Sequence, residues 1–201
     1  MYTLVSIEGN IGAGKSTLIE KLKQELSGVV FVDEPVEEWE SIQEDGVTIL
    51  EKYYGDQKRY AFAFQMMAFI TRVRRLREAI VSNPNSVIIT ERSVFTDFEI
   101  FAKMLHDEGK IENIEYQIYT RWFEEFTADI SVRGIIYVRE TPETCAEHVT
   151  MRNRKGESIP LEYLKQCHEY HEKWLMKKKN MLVNPTEEEI RKWIRVLPLL
   201  D

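Results

Sequence analysis

One segment near the start of the chain leaves few folds open. Gly9-Asn10-Ile11-Gly12-Ala13-Gly14-Lys15-Ser16 fits G-x-x-x-x-G-K-[ST] without a gap, and Thr17 follows it. Glycines let a backbone curl until its N–H groups converge on phosphate oxygens. A helix starting near Lys15 turns its positive dipole end toward the same anion. Lys15 then supplies a mobile charge for β- and γ-phosphates, and Ser16 a hydroxyl for Mg²⁺. The flanks agree: Tyr2 to Ile7 reads as a buried strand, and Lys15 to Leu26 as a helix with Leu18, Ile19, Leu22 and Leu26 on one side. That context favours a nucleoside triphosphate site over a structural turn with an accidental Lys-Ser. The motif alone does not separate kinases from GTPases or ATPases.

The rest of the chain repeats the alternation. Val29–Val32, Val87–Thr90, Gly134–Val138 and the short run Met181–Val183 read as further strands. Helices are expected over 56–82, 95–107, 111–127 and 161–179. Thr141-Pro142-Glu143 starts another, with Thr as cap and Pro in the first turn, and it runs into the basic stretch Arg152-Asn153-Arg154-Lys155-Gly156. Thr186 and Glu189 have capping-box spacing for a last helix. Residues between Pro35 and Asp56 read as a polar connection. The pattern predicts an α/β protein of the P-loop kinase fold. Its five-stranded parallel sheet is flanked by helices on both faces, in one domain over 1–201.

Charge and cysteine content narrow the partners. A net charge of -7 with a pI near 5.3 argues against a non-specific nucleic-acid binder. No apolar run reaches transmembrane length, so neither nucleic acid nor membrane is an expected partner. Cys145 and Cys167 are too few and too badly spaced for zinc and read as buried free thiols of a reducing compartment. No signal or transit peptide is visible before Leu4-Val5-Ser6-Ile7, which gives the cytoplasm or the nucleus as the expected location.

In an open parallel sheet, ligands bind beyond the carboxyl ends of the strands. Glu34 follows the second predicted strand and Glu91 the third, with Arg92 and Ser93 after it. A GTPase is expected to carry Asp-x-x-Gly after such a strand and Asn-Lys-x-Asp later, and neither occurs. A carboxylate near the γ-phosphate can accept the proton of an attacking hydroxyl, which makes the acceptor an alcohol. The competing readings are a solvated loop carboxylate for Glu34 and a structural ion pair for Glu91-Arg92. On the long helix, Gln65, Ala68 and Arg72 stand at i, i+3 and i+7 and share one face. Gln65 offers a donor and an acceptor, as a nucleobase edge requires, and its neighbours Phe64, Met66 and Met67 are apolar. Asp97 and Phe101 are i and i+4 on the next helix, and Asp97 could take a bidentate contact from Arg72. Arg74, Arg75 and Arg77 read as a solvated face.

These motifs together resemble the deoxynucleoside kinases. The resemblance rests on Gly9–Thr17, Glu34-Pro35-Val36-Glu37-Glu38-Trp39, Glu91-Arg92-Ser93, Pro142-Glu143-Thr144-Cys145, Ile159-Pro160-Leu161-Glu162-Tyr163-Leu164 and His171-Glu172-Lys173-Trp174-Leu175. It implies 5′-phosphorylation of a deoxynucleoside with ATP or another triphosphate and Mg²⁺, in a homodimer that serves nucleotide salvage. By resemblance Glu34 is the base, Arg92 holds it and the 5′-hydroxyl, and Glu91 with Ser16 positions Mg²⁺. Tyr54 is placed at the sugar 3′-hydroxyl, Trp39 and Leu50 beside the nucleoside, and Phe101 against the base. Arg152 and Arg154 resemble lid arginines that close over the triphosphate with Lys15. Arg72 and Asp97 resemble the pair of the deoxycytidine and purine deoxynucleoside kinases, whereas the thymidine-accepting branch has apolar residues there. Two departures stand out: His148 replaces an arginine common in the family, and the segment before Ile159-Pro160 is one residue shorter, which makes Glu157 a candidate for the 3′-hydroxyl acid without forcing the alignment. A nucleoside monophosphate kinase would carry more arginines at the acceptor site and no carboxylate like Glu34. A non-catalytic nucleotide-binding subunit would be expected to have lost Glu34, Arg92 or the lid arginines.

Overall fold

The five apolar runs become one parallel sheet, fully buried at its central strand and only partly buried at its two edges. In the computed structural model, which describes residues 2–154 and 157–197, the strands are β1 (Thr3–Glu8), β2 (Val29–Val32), a two-residue hairpin of β3 (Gln43–Glu44) and β4 (Val47–Thr48), then β5 (Val87–Glu91), β6 (Val132–Tyr137) and β7 (Met181–Val183). The sheet order is β2-β5-β1-β6-β7, with every neighbouring pair parallel. Strand β1 lies at the centre, and all six of its residues are buried.

The period-2 alternation of β1 divides the core. Leu4 and Ile88 face one layer with Phe69, Val73, Leu76 and Tyr119, from helices α4 (Gln57–Ser82) and α7 (Asn113–Thr127). Val5, Ile7 and Ile89 face the other with Ile19, Leu22, Ile190 and Ile194, from α1 (Lys15–Glu25) and α10 (Glu187–Val196). Each fully buried aliphatic side chain contributes roughly 1.5–3 kcal/mol. The register pairs Ile7 with Glu91 and Val32 with Thr90. The carboxyl ends of β2, β5 and β1 therefore finish level and adjacent, which places Asp33-Glu34, Glu91-Arg92 and the Gly9 loop on one rim.

Several local expectations change. The polar connection contains two short helices, α2 (Val36–Ser41) and α3 (Ile49–Gly55), on either side of the hairpin. They bury Trp39, Leu50 and Tyr53 against Phe64 and Ala68, and a capping box of Thr48 and Glu51 starts the second. The helix expected over 95–107 is three pieces in line: α5 (Val94–Thr96), a π-helical turn (Asp97–Ala102) and α6 (Lys103–Asp107). Helix α8 (Pro142–Arg152) starts as expected, with the Thr141 hydroxyl accepting from the Thr144 N–H. Lys155 and Gly156 of the basic stretch lie outside the described residues. Helix α9 (Leu161–Leu175) ends four residues early, because its buried face stops at Leu175 and Lys177–Lys179 have nothing apolar to add.

His171 on α9 is fully buried, donates from Nδ1 to the Cys167 carbonyl at 2.6 Å, and leaves Nε2 without a partner. Burial is the main cause that lowers its pKa to about 3, against about 6.5 in an unfolded chain. The unfolded state thus binds more protons between these values, and stability falls as pH drops through this window. Thermal midpoints measured from pH 7 to pH 4 should decline in the wild type and decline less in His171→Gln. Parallel declines in the two proteins would show that His171 is not the source.

Candidate active site

Backbone conformations set the phosphate loop. Gly9 has φ +148° and Gly12 φ +80°; a Cβ would lie 2.5 Å from the Val138 carbonyl oxygen at Gly9 and 2.4 Å from the Cys145 carbonyl oxygen at Gly12. Only glycine lets the turn after β6 and helix α8 press this closely on the loop. Asn10 fixes the loop from inside: its Nδ2 donates to the Leu164 carbonyl at 2.8 Å and its Oδ1 accepts from the Ile11 N–H. His148 reaches down from α8 and donates from Nδ1 to the Gly12 carbonyl at 2.7 Å. Ala13 N–H donates to the Asn10 carbonyl, and α1 starts at Lys15 after Gly14.

The Lys15 ammonium is buried and donates to the Asn10 carbonyl at 2.7 Å. Burial, aided by the charge of Arg92, pulls its pKa down to about 7, against the pull of Glu91, Glu34 and Glu8. The Ser16 hydroxyl donates to both oxygens of Glu91, at 3.0 and 3.1 Å. Among the described residues no group of three or more His, Cys, Asp or Glu side chains could hold a metal. A hydroxyl beside a carboxylate is still a pair of hard oxygen ligands that suits Mg²⁺ when phosphate oxygens and water complete the shell.

Beside the loop, four charged side chains form one network. Glu34 Oε1 accepts from Arg92 Nη1 at 2.7 Å and from Arg72 Nη2 at 3.0 Å. Arg72 also donates from Nε to Asp97 Oδ2 at 2.9 Å and from Nη1 to the Glu91 carbonyl at 2.8 Å. Burial alone would raise the Glu34 pKa, but Arg92, Arg72 and Lys15 together hold it far below the usual carboxylate range. Burial lifts Asp97 to about 6 against the opposing charge of Arg72. Arg72 is raised, because Asp97 and Glu34 outweigh its own burial. Arg92 adopts φ +57°, and its guanidinium lies 5.4 Å from the Phe101 ring centroid. Its Nε and Nη2 are buried without a hydrogen-bond partner, as is Gln65 Oε1. Orphaned polar atoms on a cleft wall indicate a polar ligand that completes them.

Loop and network share one cleft of about 1010 Å³. Its walls include Ile11, Gly12, Gly14, Lys15, Ser16, Thr17, Glu34, Trp39, Leu50, Tyr54, Gln65, Ala68, Arg72, Glu91, Arg92, Asp97, Phe101, Arg152, Arg154 and Glu157. Gly9, Asn10 and Ala13 support it from behind. Trp39 donates from Nε1 to the Thr71 hydroxyl at 3.0 Å and packs edge-on against Phe64. At the far end Arg152 is held by Glu157 through two hydrogen bonds, 2.9 Å from Nε and 2.6 Å from Nη2, and Arg154 approaches the same carboxylate at 4.0 Å.

Sequence reasoning overlooked part of the wall. Tyr53 and Tyr163 also line the cleft, share a hydrogen bond between their hydroxyls at 2.9 Å, and Tyr53 stacks on Phe64 at 4.5 Å. The capping box ahead of Tyr53 was the available signal. Arg74, Arg75 and Arg77 are not merely solvated: Arg74 and Arg75 both donate to Glu38 at 2.5 Å, Arg77 pairs with Asp129, and Arg75 reaches the cleft. Cys145 and Cys167 are buried free thiols, pushed by burial up to about 11 and 12.

Residues 5–193 match the family model described as deoxynucleoside kinase. The chain is 43% identical over 175 residues to the probable deoxycytidine kinase of fowlpox virus, covering 85% of this chain and 71% of that protein. It is 36% identical over 194 residues to human deoxycytidine kinase, covering 86% and 75%. It is 34% identical over 194 residues to mitochondrial deoxyguanosine kinase of Xenopus laevis, covering 87% and 73%.

Proposed function

Since the chain belongs to the deoxynucleoside kinase family, and so is a nucleoside salvage kinase that uses a nucleotide phosphate donor, we propose that it moves the γ-phosphate of ATP, with Mg²⁺, to the 5′-hydroxyl of deoxycytidine or a purine deoxynucleoside in preference to thymidine. The observation that carries this reading is the Glu34 carboxylate, whose Oε1 takes both arginines and leaves Oε2 for a hydroxyl. On this wall the charges of Glu34 and Asp97 offset those of Arg72 and Arg92, so no excess positive charge is left for an anionic acceptor, and a neutral alcohol fits.

In the proposed reaction the 5′-oxygen attacks the γ-phosphorus, the bond from that phosphorus to the β,γ-bridging oxygen breaks, and ADP leaves. The hydroxyl proton passes to Glu34. A carboxylate with so low a pKa is a weak base, so the transfer occurs late, once the attacking oxygen has become acidic through its bond to phosphorus. Arg92 spans Glu34 and the acceptor oxygen. Lys15, Arg152 and Arg154 stabilise charge on the transferring group. Ser16 and Glu91 hold Mg²⁺, which supplies charge neutralisation at the phosphates when bound. Gln65, with its orphaned carbonyl oxygen, takes an amino group of the base, and Ala68 leaves it room. Trp39, Leu50 and Phe101 enclose the base, while Tyr54 and Glu157 take the 3′-hydroxyl.

The whole chain is proposed as one domain acting as a homodimer. Ile114, Ile118 and Trp122 stand at i, i+4 and i+8 on α7 and are all exposed, an apolar stripe that suits a second copy. Free buried thiols suit a reducing compartment, the cytoplasm or the nucleus, and among the described residues no helix is long and apolar enough to cross a membrane. Rates with ATP–Mg²⁺ for deoxycytidine, deoxyadenosine, deoxyguanosine and thymidine test the function. Thymidine as the best substrate would overturn the assigned preference, and no turnover of any of the four would overturn the reaction.

Lys15 gives a separate check on the donor side. An anion at the loop raises the pKa of an ammonium that starts near 7, so ATP binding at pH 8 takes up a proton and weakens as pH rises above 7. Calorimetry in buffers of different ionisation enthalpy should show that uptake. Lys15→Ala should abolish it, with affinity and turnover falling together; an unchanged affinity and rate would remove the loop from the mechanism.

A further inference from the structure

One carboxylate beneath this site has no part in the scheme. Glu8, the last residue of β1, is fully buried. Its Oε1 accepts from the Ser93 N–H at 3.1 Å and from Ser93 Oγ at 2.7 Å, and its Oε2 accepts from Thr96 Oγ1. Every one of these partners is a neutral donor. A carboxylate taken out of water without a cation bonded to it is costly to the fold, so packing does not account for it.

Its bonds account for it better. Ser93 occupies the N-cap position of α5, yet its hydroxyl does not cap that helix and is committed to Glu8. Arg92, one residue earlier, sits at φ +57°, a left-handed conformation that residues with a side chain adopt at a cost. Three bonds hold it there. Arg92 N–H donates to the Ile7 carbonyl at 2.9 Å, Thr90 Oγ1 donates to the Arg92 carbonyl at 2.9 Å, and the next N–H, that of Ser93, is taken by Glu8. Residues 7 and 8 of the strand that feeds the phosphate loop thus clamp the turn on the acceptor side. Thr96, the other partner, immediately precedes Asp97.

We propose that Glu8 is a positioning residue for phosphoryl transfer. It locks the turn Glu91-Arg92-Ser93 so that the Arg92 guanidinium meets Glu34 and the acceptor oxygen, and it anchors the first turn of the helix that carries Asp97. The assignment rests on the role given to Arg92 above.

Glu8→Gln keeps the size and one acceptor oxygen for Ser93, but sets an NH₂ group against the Thr96 hydroxyl and removes the charge. Misplacing a catalytic group by about 1 Å can cost ~10²-fold in rate. The expected result is a kcat lowered by about 10–100-fold, with both KM values within about threefold and the thermal midpoint little changed. Thr96→Val, which removes one donor at nearly constant shape, should lower kcat in the same direction by less. In an Arg92→Lys background, Glu8→Gln should cost several-fold less than in the wild type, because the part of its effect that runs through Arg92 is already lost. Wild-type kcat in both single variants would overturn the proposal, as would a loss that multiplies fully with Arg92→Lys, the mark of general destabilisation. An unimpaired Arg92→Lys enzyme would overturn the reading of Arg92 and the role of Glu8 with it.

Discussion

Replacing Glu34 by Gln should lower kcat by about 10²–10⁴-fold, the range for loss of a positioned base, with nucleoside and ATP affinities largely kept. The amide retains the shape, and its oxygen can still accept from Arg72 and Arg92. What disappears is the charge and the carboxylate oxygen, Oε2, assigned to the 5′-hydroxyl. The substitution also leaves two buried guanidinium groups, 3% and 5% exposed, short of a counter-charge, so a folding penalty accompanies the chemical one. Calorimetric binding of nucleoside and of ATP separates the two: intact binding with lost turnover locates the defect in the chemical step. A turnover within about threefold of wild type would exclude Glu34 as the base, since even weak general-base terms exceed that.

Arg72 and Asp97 should show the second large effect, because Arg72 joins three walls of the site at once. Arg72→Met alone strands Asp97, which is 2% exposed, deprives Glu34 of a donor and frees the Glu91 carbonyl. Breaking one side of a buried pair costs about 3–5 kcal/mol, and a domain of this size loses about 2–4 °C of thermal midpoint per kcal/mol. Arg72→Met with Asp97→Ala removes both charges, so it should regain part of that stability and open room where a 5-methyl group would sit. Glu34 then depends on Arg92 alone, and turnover of every substrate should fall. The diagnostic quantity is therefore the ratio of kcat/KM for thymidine to that for deoxycytidine and the purine deoxynucleosides. It should rise in the double variant; a ranking left untouched would show that this pair does not set specificity.

The sheet was legible because each strand is a short apolar run between turn residues, and the phosphate loop because its glycines answer to backbone geometry alone. The pairing of Arg72 with Asp97 was expected from their opposite charges, as a bidentate contact, but only Nε reaches Asp97, because the two Nη groups go to the Glu91 carbonyl and Glu34. The contact of Arg72 with Glu34 was not legible: it needs β2 and α4 brought together, and nothing within either segment encodes that distance. Helices α2 and α3 were hidden for a different reason. Each spans two turns or fewer, and such lengths owe their helicity to packing on Phe64 and Ala68 more than to their own sequence. Glu8 was overlooked because a carboxylate before Gly9 reads as loop chemistry, and its partners lie 85 and 88 residues away.

The π-helical turn at Asp97–Ala102 makes this wall of the cleft responsive to chain length as well as to side-chain identity. A turn closed by i→i+5 bonds holds one residue more than an α-helix needs over that stretch. Removing a single residue there would let the turn close as ordinary α-helix with the flanking pieces held nearly in place, so the displacement would fall on the residues of the turn itself, Asp97 and Phe101 among them. Phe101 and Asp97 could then no longer face the same ligand in their present relation. A one-codon deletion or insertion is therefore a route, distinct from point substitution, by which a gene of this kind could alter which bases its product accepts.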